Sequence, residues 1–202
     1  MTDQDAVIGS EGWQRLIAAR DAYTHAVSPH YDEILHQVAH RARTEGSLGK
    51  ADIGALLLWK RLRADTRWAN NLMAVADADV RKATAAATLA VRDNSISSSQ
   101  AARAGRAALS ELPGFTSGDA LASALLTAAA PDRMAVYDRR AHTALCSLGV
   151  TLTHSPGRYG RYIDAIDRLL AHGPEPARAW TPRDMDTALY YLPLTSPASP
   201  SA

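Results

Sequence analysis

The run Leu112-Pro113-Gly114-Phe115-Thr116-Ser117-Gly118 and the later Asp138 combine residue types and spacing that can do chemistry. A proline and two glycines between helical stretches predict a tight turn that leaves backbone N–H groups free where the next helix starts. The positive end of the helix dipole lies there too, so an anion such as a phosphate is a natural guest, and Thr116 and Ser117 add hydroxyls. Asp138 follows the apolar triplet Ala135-Val136-Tyr137, and its plain reading is an N-cap for the helix after it. His36 and His40 stand four apart with Asp32 one turn earlier, a spacing that can hold a metal, but a solvated helix face explains it better. Cys146, between Leu145 and Ser147, reads as a small buried hydrophobe. There is no nucleotide-binding glycine loop, no serine-hydrolase elbow and no Cys/His pair.

These residues must be positioned by helices. Apolar residues recur at helical spacing over Glu11 to Val27, Tyr31 to Arg41, Lys50 to Arg63, Thr66 to Val75 and Asp77 to Val91. The pattern resumes over Gln100 to Glu111, Gly118 to Ala130, Asp138 to Leu148 and Arg158 to Ala171. A last helix opens at Thr181-Pro182-Arg183-Asp184, with a cap, a first-turn proline and a capping-box acid. Arg183 and Asp186 are read there as capping and salt-bridging groups, and Trp13, Trp68 and Trp180 as core. The expectation is an all-α fold of about ten short helices in two lobes, one domain over 1–192, with 193–202 a flexible Pro/Ser/Ala tail.

Composition agrees. Of 202 residues 47% are hydrophobic, enough for a substantial core, and they are mostly Ala and Leu, with a single Phe. One cysteine excludes a disulfide framework, a four-thiolate zinc site and a four-cysteine iron–sulfur cluster within the chain. The net charge of +1 hides an unusual basic set, 19 Arg against 3 Lys, offset largely by 16 Asp. Met1 to Gly9 lacks the charged-then-apolar order of a signal peptide, and no apolar stretch is long enough for a bilayer.

The turn, the apolar helix Ala120 to Leu126 and the spaced aspartate together resemble the helix-hairpin-helix (HhH-GPD) DNA glycosylase superfamily. The resemblance covers about 50–148, with helices over 10–43 and 158–192 completing the fold. It implies a helix-hairpin-helix motif gripping DNA phosphate through Gly114, Phe115, Thr116, Ser117 and Gly118, and Asp138 as the catalytic carboxylate. Such a carboxylate stabilises the positive charge that builds on the sugar as a base departs and can deprotonate water. Trp59, Lys60 and Tyr137 are the expected base pocket, and Arg61, Arg63, Arg139 and Arg140 the expected DNA-backbone contacts.

Two departures refine this. Thr116 replaces the second hairpin glycine, and Gly118 stands where bifunctional members carry a Schiff-base lysine, which implies a monofunctional glycosylase; the single cysteine implies a cluster-free one. No cofactor is required, although family members often hold a monovalent cation on hairpin carbonyls. The implied partner is double-stranded DNA, with no metal at the active site and no membrane, for a monomer in the cytoplasm associated with the nucleoid. The alternatives are a hairpin protein that binds DNA without cutting it, and a helical interaction module.

Overall fold

The computed structural model describes residues 8–193, so the expected tail, Pro193 apart, lies outside the described residues. The fold is all-α, with ten α-helices and no strand among the described residues. They are α1 (Ser10–Ala26), α2 (Glu33–Glu45), α3 (Lys50–Lys60), α4 (Arg67–Ala74), α5 (Asp77–Arg92), α6 (Ser98–Ala108), α7 (Ala120–Ala129), α8 (Arg139–Ser147), α9 (Arg158–Ala171) and α10 (Pro182–Tyr191). A short 3₁₀ turn, Ala177–Ala179, precedes α10.

Local chemistry sets the boundaries. Ser97 accepts from the Gln100 N–H and opens α6, while the Gln100 side chain returns to the Ser97 N–H. Thr181 and Asp184 make the same reciprocal pair at α10, with Pro182 in the first turn. Gly46, in the left-handed region, closes α2. Arg61 closes α3 in the same conformation at φ 53°, the one non-glycine residue with positive φ among the described residues. That geometry costs about 1–2 kcal/mol for an L-residue and fixes where the α3 terminus points.

α7 is the axis of the packing. Every residue from Leu121 to Ala129 is buried, as expected of a helix that is apolar all round. α2, α3, α5 and α6 pack against it. Complete burial of Leu125 and Leu126 contributes about 2 kcal/mol each. α6 approaches closely because Gly105 has no Cβ; one there would overlap Val91 of α5 and press on Leu126 of α7. α5, α6 and α9 form one group of contacts, and α1, α8 and α10 another, with α9 also touching α10. One continuous apolar core runs through both groups.

Candidate functional site

Between α7 and α8 a segment outside any helix, Met134 to Asp138, passes through the interior with its first four residues buried. It has no helix or sheet to satisfy its backbone, and buried N–H and C=O groups need partners. Side chains supply them. Tyr159 Oη donates to the Ala135 carbonyl and Tyr162 Oη to the Val136 carbonyl, both at 3.1 Å. Asp186 Oδ2 accepts from the Val136 N–H at 2.8 Å, and Ser123 Oγ accepts from the Tyr137 N–H at 2.9 Å. Three helices, α7, α9 and α10, therefore clamp the stretch that carries Asp138.

Asp138 is the N-cap of α8, and its two oxygens are divided. Oδ1 accepts from the Ala141 N–H at 2.8 Å, and Oδ2 accepts from Lys60 Nζ, at the end of α3, at 3.0 Å. Both side chains are largely buried, at 14% exposure for Lys60 and 18% for Asp138. Capping and presentation toward an open site are thus performed by one carboxylate.

The pair opens on a cavity of about 640 Å³, within the range that holds a small ligand. Trp59, Lys60, Arg61, Asp138, Arg139 and Arg140 line it, so six of the residues expected from the sequence are brought together. Ala120, the first residue of α7, lines it too and sets the cavity beside the hairpin. Trp59 is held by Nε1 donating to Asp32 Oδ1 at 2.9 Å, and its carbonyl accepts from Tyr31 Oη at 2.8 Å. Arg183 is the hub of the wall. It reaches Asp32 with Nε and Nη2 at 3.1 and 3.0 Å and Asp186 with Nη1 at 2.5 Å, and it lies over the Trp59 ring at 5.1 Å.

Asp186 is almost wholly enclosed, 2% exposed. Burial pushes its carboxyl up to about 6, against the pull of Arg183, the Val136 N–H and Lys60. Burial also raises the Tyr23 hydroxyl in the same wall to about 12, although Arg183 draws it down.

The hairpin between α6 and α7 differs in part from expectation. Thr116, Ser117 and Gly118 are exposed, as an anion site needs. Gly114 has φ 90°, and a Cβ there would overlap the Trp68 indole, so packing as well as backbone conformation demands glycine. Phe115 is corrected: its ring is fully buried, and its N–H is spent on the Leu112 carbonyl at 2.9 Å, leaving nothing to offer a phosphate. Asp119, the N-cap of α7, accepts from Arg106 Nε at 3.1 Å and Arg158 Nε at 2.8 Å, and Arg106 Nη2 also takes the Gly118 carbonyl at 3.0 Å. These two guanidinium groups neutralise Asp119 and occupy the Gly118 carbonyl, which removes one of the turn's carbonyl oxygens from the set that could hold the monovalent cation implied by the resemblance.

Two further expectations are corrected. Tyr137 does not line the cavity. With Asp138 on the cavity wall, Tyr137 turns into the core. It is buried edge-on against Tyr162 with its hydroxyl 3.1 Å from His142 Nδ1 and Arg158 over its ring. Cys146 is exposed, because the register of α8 places it with Arg139 and Thr143 on the outer face. Arg63 lies outside the cavity, ion-paired to Asp65 in an exposed turn. Trp13 is buried, while Trp68 and Trp180 are half-buried against the core.

Sequence reasoning missed Arg183 and Asp186 as wall residues, along with Tyr23, Tyr31, Tyr190 and Tyr191. One signal was present: Asp186 falls in the buried register of Met185, Leu189 and Leu192, where an acid must have a partner. Among the described residues no group of three or more His, Cys, Asp or Glu side chains is arranged to hold a metal, and His36 and His40 are exposed on α2. Nor is any described helix long and apolar enough to cross a membrane. Comparison with protein-family models, with curated proteins and with solved structures finds no match to this chain.

Proposed function

We propose that this protein is a monofunctional DNA glycosylase, hydrolysing the N-glycosidic bond of a base flipped into the cavity beside Asp138. The observation that carries this reading is the divided carboxylate. Oδ1 is fixed by the α8 N-terminus, while Oδ2 sits with Lys60 on the wall of a cavity large enough for a base and part of its sugar. An ionised carboxylate so anchored stabilises the oxocarbenium-like sugar and orients or deprotonates the attacking water, with no reorganisation at the moment of reaction. Trp59 supplies an aromatic wall. The exposed Arg61, Arg139 and Arg140 at the cavity and the exposed hydroxyls of Thr116 and Ser117 offer the phosphate contacts that hold a flipped strand.

The test is a set of duplexes, each carrying one damaged or modified base, incubated with the protein and heated in alkali to cut at abasic sites. The wild-type chain releases at least one base, and Asp138→Asn releases none while still binding DNA. Base release undiminished in Asp138→Asn refutes the assignment.

One observation favours a second reading, a hairpin protein that binds DNA without cutting it. Oδ2 of Asp138 is already neutralised by Lys60, so the carboxylate meets the cavity as part of an ion pair. Such a protein binds DNA and makes no abasic sites with any base.

A further inference from the structure

Four of the five aromatic rings that line the cavity are already partnered by cations. Arg183 lies over Trp59, Arg61 over Tyr31 at 5.7 Å, and Arg140 over Tyr190 at 4.7 Å. Tyr23 has Arg20 at 6.0 Å from its ring, and Tyr191 is set edge-on against Tyr23. An aromatic cage attracts a cationic ligand through the negative faces of its rings, and guanidinium groups have claimed those faces. The lining charges point the same way. Lys60, Arg61, Arg139, Arg140 and Arg183 stand against the carboxylates Asp138 and Asp186, with Asp32 behind Arg183. The two acids that line the cavity are ion-paired within the chain, so the surplus is positive. A ligand with a formal positive charge is repelled here, and one rich in carbonyl or ring-nitrogen acceptors finds donors.

This bears on the chemistry of departure. A base made cationic by N-alkylation leaves as a neutral molecule and needs no proton. An uncharged base leaves as an anion unless an acid protonates it. Lys60 Nζ is a proton donor held in the cavity wall, 3.0 Å from the Asp138 carboxylate.

We propose that the cavity takes an uncharged base bearing an exocyclic carbonyl, and that Lys60 gives the departing base its proton. This rests on the glycosylase reading. As the C1′–N bond breaks, its electron pair stays with the base, and Lys60 Nζ protonates that base. Water bonds through oxygen to C1′ and gives a proton to Asp138. That proton crosses the hydrogen bond to Lys60, and the ion pair is restored. One water is consumed, a sugar hydroxyl and a neutral base are released, and no oxidant or further reactant takes part.

The experiment compares single-turnover base release from duplexes carrying uracil, hypoxanthine or 8-oxoguanine with release from one carrying cationic 7-methylguanine, using wild type, Lys60→Gln and Lys60→Arg. At least one of the three uncharged bases leaves, and cationic 7-methylguanine leaves no faster than it does without protein. Lys60→Gln lowers release about 10²–10⁴-fold, the usual contribution of a general acid. Lys60→Arg keeps the charge beside Asp138 and restores the wild-type melting temperature, but not the rate, because a guanidinium gives up its proton far less readily.

Release of 7-methylguanine alone overturns the proposal and leaves the glycosylase reading standing. So does full activity in Lys60→Arg, which makes Lys60 a positioning residue. A borohydride-trapped DNA adduct mapped to Lys60 overturns it as well, since Lys60 is then a nucleophile. Release of no base from these or any other damaged duplex removes both readings.

Discussion

Replacing Asp138 by Asn and by Ala separates its two oxygens into two measurable effects. Asn keeps an oxygen that accepts from the Ala141 N–H, and Asn equals Asp as an N-cap, so α8 remains capped. What Asn loses is the charge that pairs with Lys60. Breaking a fully buried ion pair costs about 3–5 kcal/mol, and breaking an exposed one under about 1 kcal/mol. With Lys60 at 14% and Asp138 at 18% exposure the pair lies between, and we expect Asp138→Asn to lose about 1–2 kcal/mol. Asp138→Ala loses the cap as well, adding about 1 kcal/mol. In a protein of this size that difference lowers the melting temperature by roughly 2–4 °C below Asp138→Asn. Base release behaves otherwise. Both variants lack the carboxylate, and removal of a preorganised electrostatic group lowers the rate by about 10²–10³-fold or more. Urea denaturation with single-turnover release on one damaged duplex reads both quantities. Equal stability of the two variants means that the cap contributes nothing and refutes its role. Base release by Asp138→Asn within about tenfold of wild type means that the charge is not the catalytic feature.

Gly114→Ala is expected to destabilise more than Gly118→Ala. Both demand a positive φ, about 1–2 kcal/mol for alanine, but only at Gly114 does the added Cβ strike an indole, that of Trp68, and paired urea titrations measure the gap. The raised carboxyl of Asp186 makes its contribution to stability greatest below about pH 4 and lost as pH rises through about 6, because the folded state holds the proton more tightly than the unfolded one. The stability of wild type relative to Asp186→Asn therefore falls between those limits, by on the order of 2–3 kcal/mol, and parallel curves against pH contradict it. His142 is shifted below 6.5 by burial, then by the stacked His154 and by Arg158, so its contribution to stability is present above 6.5 and fades as pH falls through the lowered value. Imidazole proton shifts in NMR titrate below 6.5 if this is so.

The helices were legible because their causes are local. Ser97 with Gln100, Thr181 with Asp184, Pro182 and Gly46 each act within one turn, and the unbroken apolar run of α7 announces burial on every face. Asp138, Trp59 and Lys60 were legible as a set only through spacing and resemblance, and the cavity that they share is the part that the structure adds. Tyr137 is adjacent to Asp138 in sequence, but sequence adjacency does not fix which side of the chain each side chain takes; in the fold Tyr137 packs into the core against Tyr162 while Asp138 lines the cavity. Phe115 was misread because a hairpin N–H cannot be known as free until its partner is seen, here the Leu112 carbonyl.

Composition and periodicity determined an all-helical chain, a core of Ala and Leu, and an N-cap at Asp138, since backbone propensity and capping act over a few residues. They could not reach the contacts that make a site. Lys60 meets Asp138 across 78 positions, and Arg183 meets Asp32 across 151. Such pairs form because the packing of the helices brings residues distant in sequence to one cavity, and there desolvation selects charges that find partners. By sequence Arg183 and Asp186 are capping and salt-bridging groups of the last helix; in the folded chain Arg183 pairs with Asp186 and with Asp32, and Arg183 and Asp186 line the cavity.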